Sequence, residues 1–531
     1  MSSVTSNWVE LALAAGAAAF LYSRFRRPSL PLPPGPKKLP LLGNLHNIPT
    51  KYEWEQYAEW SKEFDSDILH LEVLGRNIIV LNSFEACIEL LEKRSKLYSS
   101  RPILAMPSEV MNLDYNAILV PYGAYMRSRR RLMHGMLHAK VAKQYEPLEM
   151  KALHAFLRTM LKAGEDDLAP ELRHMAGVLI MGIAYGLDVR TKDDIYVAEA
   201  VKAVHILLEV TQPGAYAVNA VPALKHVPEW LPGESQQRPS RSREWRKVLY
   251  EVIDRPFQKV KQSMVRVSMR ADGEPITPSF TSMALEQGVD EDAIRDSAGT
   301  LYNAASDTTL VTLFNFTIAM LDNPHFQKRA QDQLDAVLGP LQLPDGSVGH
   351  MPEFSDMERL PFITALIQET MRWMPVAPEG VPHAYSGEGV DIYKSYAIPP
   401  DSVVIANTWA LVHDETVYPD SYTFKPDRFL DANGNLDRTV RDPGDIVFGF
   451  GRRICPGRHM AYSIVWITVA SMLRVYNIEK AKRPDGTVIE PPREWESSLV
   501  LNPKPFKCNL IPRNAAAVEM IKSTERMEYY A

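Results

Sequence analysis

Apolar residues recur at helical spacing over most of the chain between about residues 120 and 380, with polar residues between them. The longest helical stretch runs from Asp290 to Leu321, and Asp322-Asn323-Pro324 ends it. Another starts near Pro361 and runs to Trp373, where Met374-Pro375 stops it. After Pro456 the spacing is helical again through Val475. Helices are therefore expected to form most of the fold.

Strand patterns are confined to two regions. In "DILHLEVLGRNIIVLNS" apolar and polar residues alternate on both sides of Gly75-Arg76-Asn77, which predicts a β-hairpin that turns at these residues. Ser83 is the expected cap of the helix that follows. Between about residues 380 and 445, short strands are expected among proline-rich loops. The chain is therefore predicted to be mainly α with a small β subdomain.

The first thirty residues have the pattern of a membrane anchor. Leu11 to Tyr22 is an apolar stretch of 12 residues, short of the roughly 20 that span a bilayer, and Glu10 interrupts it unless Val4 to Phe25 spans as a whole. Positive charges follow this stretch, an order that favours a signal anchor with the rest of the chain cytoplasmic over a cleaved signal peptide. A helix lying in the membrane interface is the alternative. The charges are Arg24, Arg26 and Arg27.

A proline-rich segment comes next. Prolines cannot continue a helix, and a stiff extended segment of this kind would hold a globular body off the membrane. The prolines are Pro28, Pro31, Pro33, Pro34 and Pro36. We therefore divide the chain into an N-terminal anchor at 1–27, a proline-rich hinge at 28–45 and one large domain at 46–531.

Composition and charge narrow the range of functions. Of the 531 residues, 46% are hydrophobic and 23% are charged, the balance of an ordinary globular protein. The net charge is -6 and no long basic run is interleaved with aromatic residues, so nucleic acid is not an expected partner. The three cysteines have no CxxC spacing, which excludes a disulfide framework and a four-cysteine zinc site. Cys87 and Cys508 are interpreted as small buried hydrophobic residues.

Cys455 has unusual neighbours, in the stretch "FGFGRRICPG". Gly451 accepts a positive φ, and Gly457 allows close approach of the backbone to a flat ligand. Pro456 suits the first turn of a helix, so Cys455 would lie near a helix N-terminus that favours a thiolate. Such a sulfur is either a metal ligand or a nucleophile.

These alternatives make different demands on the rest of the chain. A nucleophile needs a histidine base and an oxyanion site, and no evident partner is present. His459 shares a helical face with Cys455 and would complete half a zinc site, but the other two ligands are missing. A haem iron needs one axial thiolate, and its propionates need cations such as Arg453.

The pattern Phe448-x-x-Gly451-x-Arg453-x-Cys455-x-Gly457 resembles the haem-binding loop of the cytochrome P-450 family, the haem-thiolate monooxygenases. The resemblance implies the cytochrome P-450 fold and a haem b whose axial ligand is Cys455. Three further stretches agree with the family in the family's order, so the resemblance extends from the anchor to "NPKPFKC".

The first of these stretches is "ETMR", where Glu369 and Arg372 lie three residues apart on one helical face. Such a spacing is common and usually marks an exposed pair that contributes little. In the family this pair forms a triad with an arginine from a later loop, and "FKPDRF" offers Arg428 for that role. The implied function of the triad is structural.

The second stretch, "AASDTT", lies in the middle of the long helix. Threonines within helices often only bond back to a carbonyl, whereas a buried Asp costs free energy unless it is needed. The resemblance makes this the oxygen-binding stretch, with Asp307 and Thr308 as the acid and alcohol that deliver protons. Ala305 replaces the usual glycine.

The third stretch is "YGAYMRSRRRLMH". The family has a Trp four residues before an Arg that binds a haem propionate, and this register places Met126 and Arg130 at those positions. Met126 cannot donate the indole hydrogen bond. The remaining arginines form either a solvated basic face or a docking face for an acidic redox partner. His383 matches another position where the family contacts a propionate.

Together these motifs predict a membrane-anchored haem-thiolate monooxygenase that uses O₂ and NADPH electrons from a flavoprotein reductase. The resemblance is to the microsomal eukaryotic type, which places the protein on the endoplasmic reticulum with its catalytic domain facing the cytosol, and to fungal secondary metabolism. A haem-thiolate isomerase or dehydratase and a non-catalytic haem sensor are the alternatives. A lipophilic small-molecule substrate follows from mostly apolar pocket residues inferred by register: Tyr302, Asn303, Ala304, Val376, Ala377, Leu499 and Val500.

Overall fold

A computed structural model describes residues 30–189, 194–212, 215–226, 238–269, 277–343, 345–346 and 349–527. The predicted membrane anchor at 1–27 lies outside these residues. Most described residues are helical and the strands are short. The prediction of a mainly α protein with a small β subdomain is confirmed.

Twelve helices of seven or more residues are described in these ranges. They are α1 Glu53–Glu63, α2 Ala124–Leu137, α3 Glu146–Met160, α4 Leu168–Tyr185, α5 Ile195–Thr211, α6 Arg238–Met269, α7 Phe280–Glu286, α8 Glu291–Asp322, α9 Pro324–Leu338, α10 Pro361–Trp373, α11 Arg458–Val475 and α12 Ala515–Ser523. Single-turn helices include Phe84–Cys87, Ser95–Tyr98, Ala139–Ala142, Ala217–Ala220, Thr408–Val412 and Gly444–Val447.

The ten described strands form one larger sheet and three two-stranded ribbons. They are β1 Ile68–Val73, β2 Arg76–Leu81, β3 His383–Ala384, β4 Asp391–Tyr393, β5 Tyr396–Ile398, β6 Val403–Ala406, β7 Tyr476–Lys480, β8 Trp495–Glu496, β9 Asn502–Pro503 and β10 Cys508–Pro512. The larger sheet has the order β1-β2-β6-β3, with β2 parallel to β6 and the other pairs antiparallel.

The predicted β-hairpin is present, but its turn lies one residue earlier than expected. Val73 pairs with Arg76, so the two turn residues are Leu74 and Gly75, both with positive φ. Two-residue turns with this backbone match the right-handed twist of the flanking strands. Asn77 was predicted in the turn and instead pairs with Glu72 within the ladder.

Helix ends follow the predicted signals. The α8 helix begins at Glu291, where the Asp290 carboxylate accepts a 2.9 Å hydrogen bond from the Ala293 N–H. Ser83 caps the Phe84–Cys87 helix, as predicted, because its side chain accepts a 3.1 Å hydrogen bond from the Ala86 N–H. The α10 helix has the predicted bounds, and α11 begins at Arg458, two residues after Pro456.

The α8 helix runs through the core and packs mainly against α4, α2 and α5, and also against α6, α7, α10 and α11. Among the described residues it is the one helix long and apolar enough to cross a membrane, and 67% of its most apolar window is buried inside the protein, as expected of a core helix. Residues 304–309 are half-buried, in contrast to the buried turns on both sides. Open space therefore borders the middle of α8.

The described part of the predicted hinge lies against the sheet. The Pro31 carbonyl accepts a 2.8 Å hydrogen bond from Ala397 in β5, and the Pro34 carbonyl accepts one of 2.9 Å from His70 in β1. A Cβ at Gly35 would meet the His70 carbonyl oxygen at 2.1 Å, so this contact requires glycine. These residues are therefore held by the β subdomain instead of forming a free spacer.

Candidate active site

Cys455 lies in a loop between the Gly444–Val447 helix and α11. Its N–H donates to the Phe448 carbonyl at 2.8 Å, which closes the loop. Gly451 has φ +55°, and a Cβ there would meet the Leu91 carbonyl oxygen at 2.2 Å. A Cβ on Gly457 would instead enter open space. Gly451 is thus required by backbone packing, and Gly457 leaves the surface beside the sulfur clear.

The thiol of Cys455 differs from the other two in exposure. Cys87 and Cys508 are buried, whereas Cys455 keeps part of its surface accessible. Burial raises its pKa, while the Gly457 N–H and the guanidinium groups of Arg130 and Arg458 act to lower it. The helix start by itself therefore does not offset the burial of this sulfur. The thiolate needs further positive charge, such as a metal ion.

Three arginines meet in the interior near this loop. Arg101 is 7% exposed, and burial together with Arg453 and Arg130 lowers its pKa well below the usual value. Burial and Arg130 lower the pKa of Arg453 to about 10. Arg130 also has a lowered pKa, caused by burial and opposed by Cys455. We call Arg101, Arg130 and Arg453 the arginine cluster.

No carboxylate forms an ion pair with the arginine cluster in the described part of the chain. Gathering three cations away from bulk water without a carboxylate is unfavourable, so this arrangement indicates an anionic ligand. The two propionates of haem b have the matching charge. An accessible thiol beside a buried cationic cluster is the donor set that haem requires, so the residues present fit this group.

Three of the carbonyl groups that orient the cluster come from one segment. Arg101 donates to the Ile118 carbonyl at 3.0 Å, and Arg453 donates to the Ala117 carbonyl at 2.9 Å and the Val120 carbonyl at 2.7 Å. The Ala117 N–H donates to Thr300 Oγ1 on α8 at 3.1 Å. Residues 117–120 therefore connect α8 with the arginine cluster.

The sequence analysis missed Arg101. Its only local signal is the following Pro102, which keeps its backbone extended. The guanidinium also donates to the Val381 and Pro382 carbonyls at 2.6 and 2.8 Å, contacts about 280 residues away in the chain. Such long-range contacts leave no pattern in the sequence.

His383 is placed near the cluster, and its ring is neutral there. Its Nδ1 lies 2.7 Å from the Tyr98 carbonyl, which only accepts, so Nδ1 carries the proton. Burial and Arg101 lower its pKa well below the usual value, which keeps the ring neutral. Contact with a propionate would require protonation of Nε2 as well.

The basic run on α2 divides between interior and surface. Arg129 is buried and bonds to Asp296 on α8 at 2.9 Å, so it cannot contribute to a docking face. Arg127 and Arg131 are exposed. Met126 is buried, with 2% of its surface exposed. The predicted docking face is thus reduced by one arginine.

The oxygen-binding stretch predicted on α8 coincides with its half-buried residues. Thr308 Oγ1 donates to the Ala304 carbonyl at 3.0 Å. Asp307 Oδ2 accepts from Asn502 Nδ2 at 3.4 Å, and no ion pair to a cation is found for this carboxylate within the described ranges. A cavity of about 360 Å³, here called the rear cavity, opens on one side of the helix. Its lining includes Val204, Tyr302, Ser306, Asp307, Asn502 and Phe506.

Two of the predicted pocket residues on α8 are buried and hydrogen-bonded to other protein groups, although Tyr302 also lines the rear cavity. The Tyr302 hydroxyl donates to the Tyr196 carbonyl at 2.6 Å and Asn303 Nδ2 lies 3.4 Å from the Tyr115 hydroxyl. Of the three predicted there, only Ala304 is half-buried.

Glu369 joins two arginines behind the loop. Arg372 donates to both of its carboxylate oxygens, at 2.7 and 2.9 Å, and Arg428 Nε donates to Oε2 at 3.1 Å. Glu369 and Arg372 have no exposed surface. The Lys425 N–H donates to the same carboxylate at 2.6 Å. Glu369 and Arg372 therefore belong to a buried network with Arg428. They are not the exposed pair that their spacing alone would suggest.

The Cys455 loop borders a second cavity, which has a volume of about 430 Å³. Phe448, Gly451 and His459 line it. Among the described residues no group of three or more His, Cys, Asp or Glu side chains could hold a metal ion. The zinc alternative for Cys455 and His459 therefore has no support in this part of the chain.

Comparison with known proteins gives one consistent result. The chain is 42% identical to a cytochrome P-450 monooxygenase of Postia placenta over 93% of each chain, and 38% identical to one of Rhodocybe pseudopiperita over 93% of this chain and 91% of that one. It is 33% identical to the tryptamine 4-monooxygenase of Psilocybe cyanescens over 93% of this chain and 94% of that one. The sequence model of the cytochrome P-450 family matches residues 33–510. This chain, with its partly exposed Cys455 beside one buried and two half-buried arginines, therefore belongs to the cytochrome P-450 family of oxygen-incorporating oxidoreductases.

Proposed function

We propose that the protein inserts one oxygen atom from O₂ into a C–H or C=C bond of a lipophilic small molecule of fungal secondary metabolism. Its electrons would come from NADPH through a flavoprotein reductase. The observation that carries the proposal is the arginine cluster, one buried and two half-buried cations without a carboxylate beside the partly exposed Cys455. Haem b, when bound, supplies the iron at which O₂ is activated.

The residues that would hold the haem are assigned by their positions. Cys455 would be the axial ligand, and the arginine cluster would bind the propionates. Phe448 and Gly451 fix the backbone of the loop, and Gly457 leaves room for the flat ring. His383 would contribute only in its protonated form.

Thr308 and Asp307 would divide the movement of protons between them. The Thr308 hydroxyl donates to the Ala304 carbonyl and keeps lone pairs free to accept from a water molecule. That water would lie beside the half-buried residues 304–309, in the space here called the oxygen groove. Asp307 faces the rear cavity, where it would take protons from water and pass them towards that groove.

Thr308→Ala and Asp307→Asn should therefore have different defects, the first in the coupling of NADPH to product and the second in the rate of NADPH consumption. With purified reductase and a verified substrate, Thr308→Ala should keep haem and substrate binding but release NADPH electrons as hydrogen peroxide, because the proton is no longer held in place. Asp307→Asn should slow NADPH consumption itself by about 10²-fold, the usual contribution of a positioned acid or base. NADPH, peroxide and product are measured together.

Thr308→Ser, which keeps the hydroxyl, is the matched control and should retain most of the coupling. Unchanged product per NADPH in Thr308→Ala would contradict oxygen activation by this pair. The isomerase alternative would then be the better explanation.

We also propose that residues 1–27 anchor the protein to the endoplasmic reticulum, with the catalytic domain in the cytosol. Deleting them should move much of the protein to the soluble fraction. Partial retention is expected because four leucines within the hinge are exposed: Leu39, Leu41, Leu42 and Leu45. Fractionation without detergent measures the effect, and a full-length protein that is already soluble would refute the anchor.

A further inference from the structure

The β8–β9 hairpin is fixed against α8 from several directions. Trp495 Nε1 donates to Asn315 Oδ1 on α8 at 3.0 Å, and the Tyr52 hydroxyl donates to the Trp495 carbonyl at 2.7 Å. On the opposite strand, the Leu501 N–H donates to the Val376 carbonyl at 2.9 Å. Asn502, the next residue, therefore has a defined position relative to α8.

Asn502 reaches from this hairpin to the proposed proton donor. Its Nδ2 lies 3.4 Å from Asp307 Oδ2, and both residues line the rear cavity. Other titratable side chains line the same cavity from α4 and the residues before it, from α5 and from the hairpin. They are Asp166, Arg173, His205, Glu496 and Lys504.

None of the three basic residues among these forms an ion pair with Asp307 in the ranges that the structure describes. Lys504 instead pairs with Glu494. The distinction matters because a cation at ion-pair distance stabilises the carboxylate and opposes its protonation. An amide N–H directs the carboxylate without adding a positive charge beside it.

We propose that Asn502 is a positioning residue that holds the Asp307 carboxylate at the inner end of the rear cavity. This inference rests on the proposed role of Asp307. The C-terminal hairpin thereby sets the geometry of proton supply, through one uncharged hydrogen bond to α8.

A double-mutant cycle tests the proposal through NADPH consumption at saturating reductase. Asn502→Leu should lower the rate about tenfold, the effect of losing one hydrogen bond to a charged group. Asp307→Asn should lower it further, and the double variant should be no slower than Asp307→Asn alone, because Asn502 acts only through that carboxylate. If the loss of rate in the double variant equals the product of the two single losses, the proposal is overturned.

Asn502→Asp gives an independent measurement. A second carboxylate beside Asp307 disfavours ionisation of the pair and raises its apparent pKa. The limb of the pH profile of NADPH consumption that reports this carboxyl should therefore move to higher pH by about one unit or more. A profile that stays in place would count against the contact.

Trp495→Phe is the structural control, because it removes the other tether of the hairpin to α8 without touching Asp307. It should leave the rate and the pH profile unchanged, with normal haem content in every variant. An equal loss in Trp495→Phe would assign the effect to hairpin packing and overturn the proposal. Normal rates in Asp307→Asn would refute the proposed role of Asp307, whereas a slow Asp307→Asn with normal Asn502 variants would refute only this inference.

Discussion

Replacing Cys455 with serine should abolish the red-shifted Soret band of the reduced carbon monoxide complex and with it all monooxygenase turnover. The thiolate is the only axial donor that the loop offers, and a serine hydroxyl stays protonated near neutral pH. Burial raises the pKa of this thiol, but Arg130, Arg458 and the Gly457 N–H oppose that shift and would favour a thiolate bound to a metal ion. A neutral serine hydroxyl would not be stabilised by these three groups in the same way.

Cys508→Ser is the matched control, because Cys508 is also a free cysteine but lies buried in β10. Burial raises the pKa of its thiol to about 12, so it stays protonated. The control protein should keep the shifted band. The assignment of Cys455 fails if its serine variant binds carbon monoxide with an unchanged spectrum.

The second large effect is expected at Glu369. Glu369→Gln should prevent accumulation of folded, haem-loaded protein, because it leaves the buried Arg372 and Arg428 without a carboxylate. Breaking a buried ion pair by removing one partner costs about 3–5 kcal/mol. That is a large share of the roughly 5–15 kcal/mol by which a domain is stable. The loss of stability in Glu369→Gln is measured by the yield of haem-loaded protein and by the midpoint of denaturant unfolding.

An exposed pair in the same protein provides the control. Lys328 and Asp332 pair one turn apart on α9 and both are largely exposed. Asp332→Asn should cost at most about 0.5 kcal/mol. Glu369→Gln with the stability of Asp332→Asn would show that the network does not hold the fold together.

Local signals in the sequence were sufficient for the helices and for the loop around Cys455. The ends of α8 and α10 follow from Asp290, Pro324 and Pro361, because caps and prolines act on their own neighbouring backbone. The hairpin turn was misplaced by one residue because the non-glycine Leu74 takes a positive φ there. Pairing of the flanking strands decides that conformation.

The sequence by itself determined the family and was enough to predict the axial cysteine and the acid–alcohol pair, since each depends on residue types at short, fixed spacing. Only the tertiary structure decided that Arg101 joins Arg130 and Arg453, that Arg129 pairs with Asp296, and that Asn502 faces Asp307. Asn502 and Asp307 are separated by 195 residues and meet because the hairpin packs on α8. Burial also reversed the expected direction of the Cys455 pKa, because desolvation depends on every atom packed around the sulfur and no local pattern encodes it.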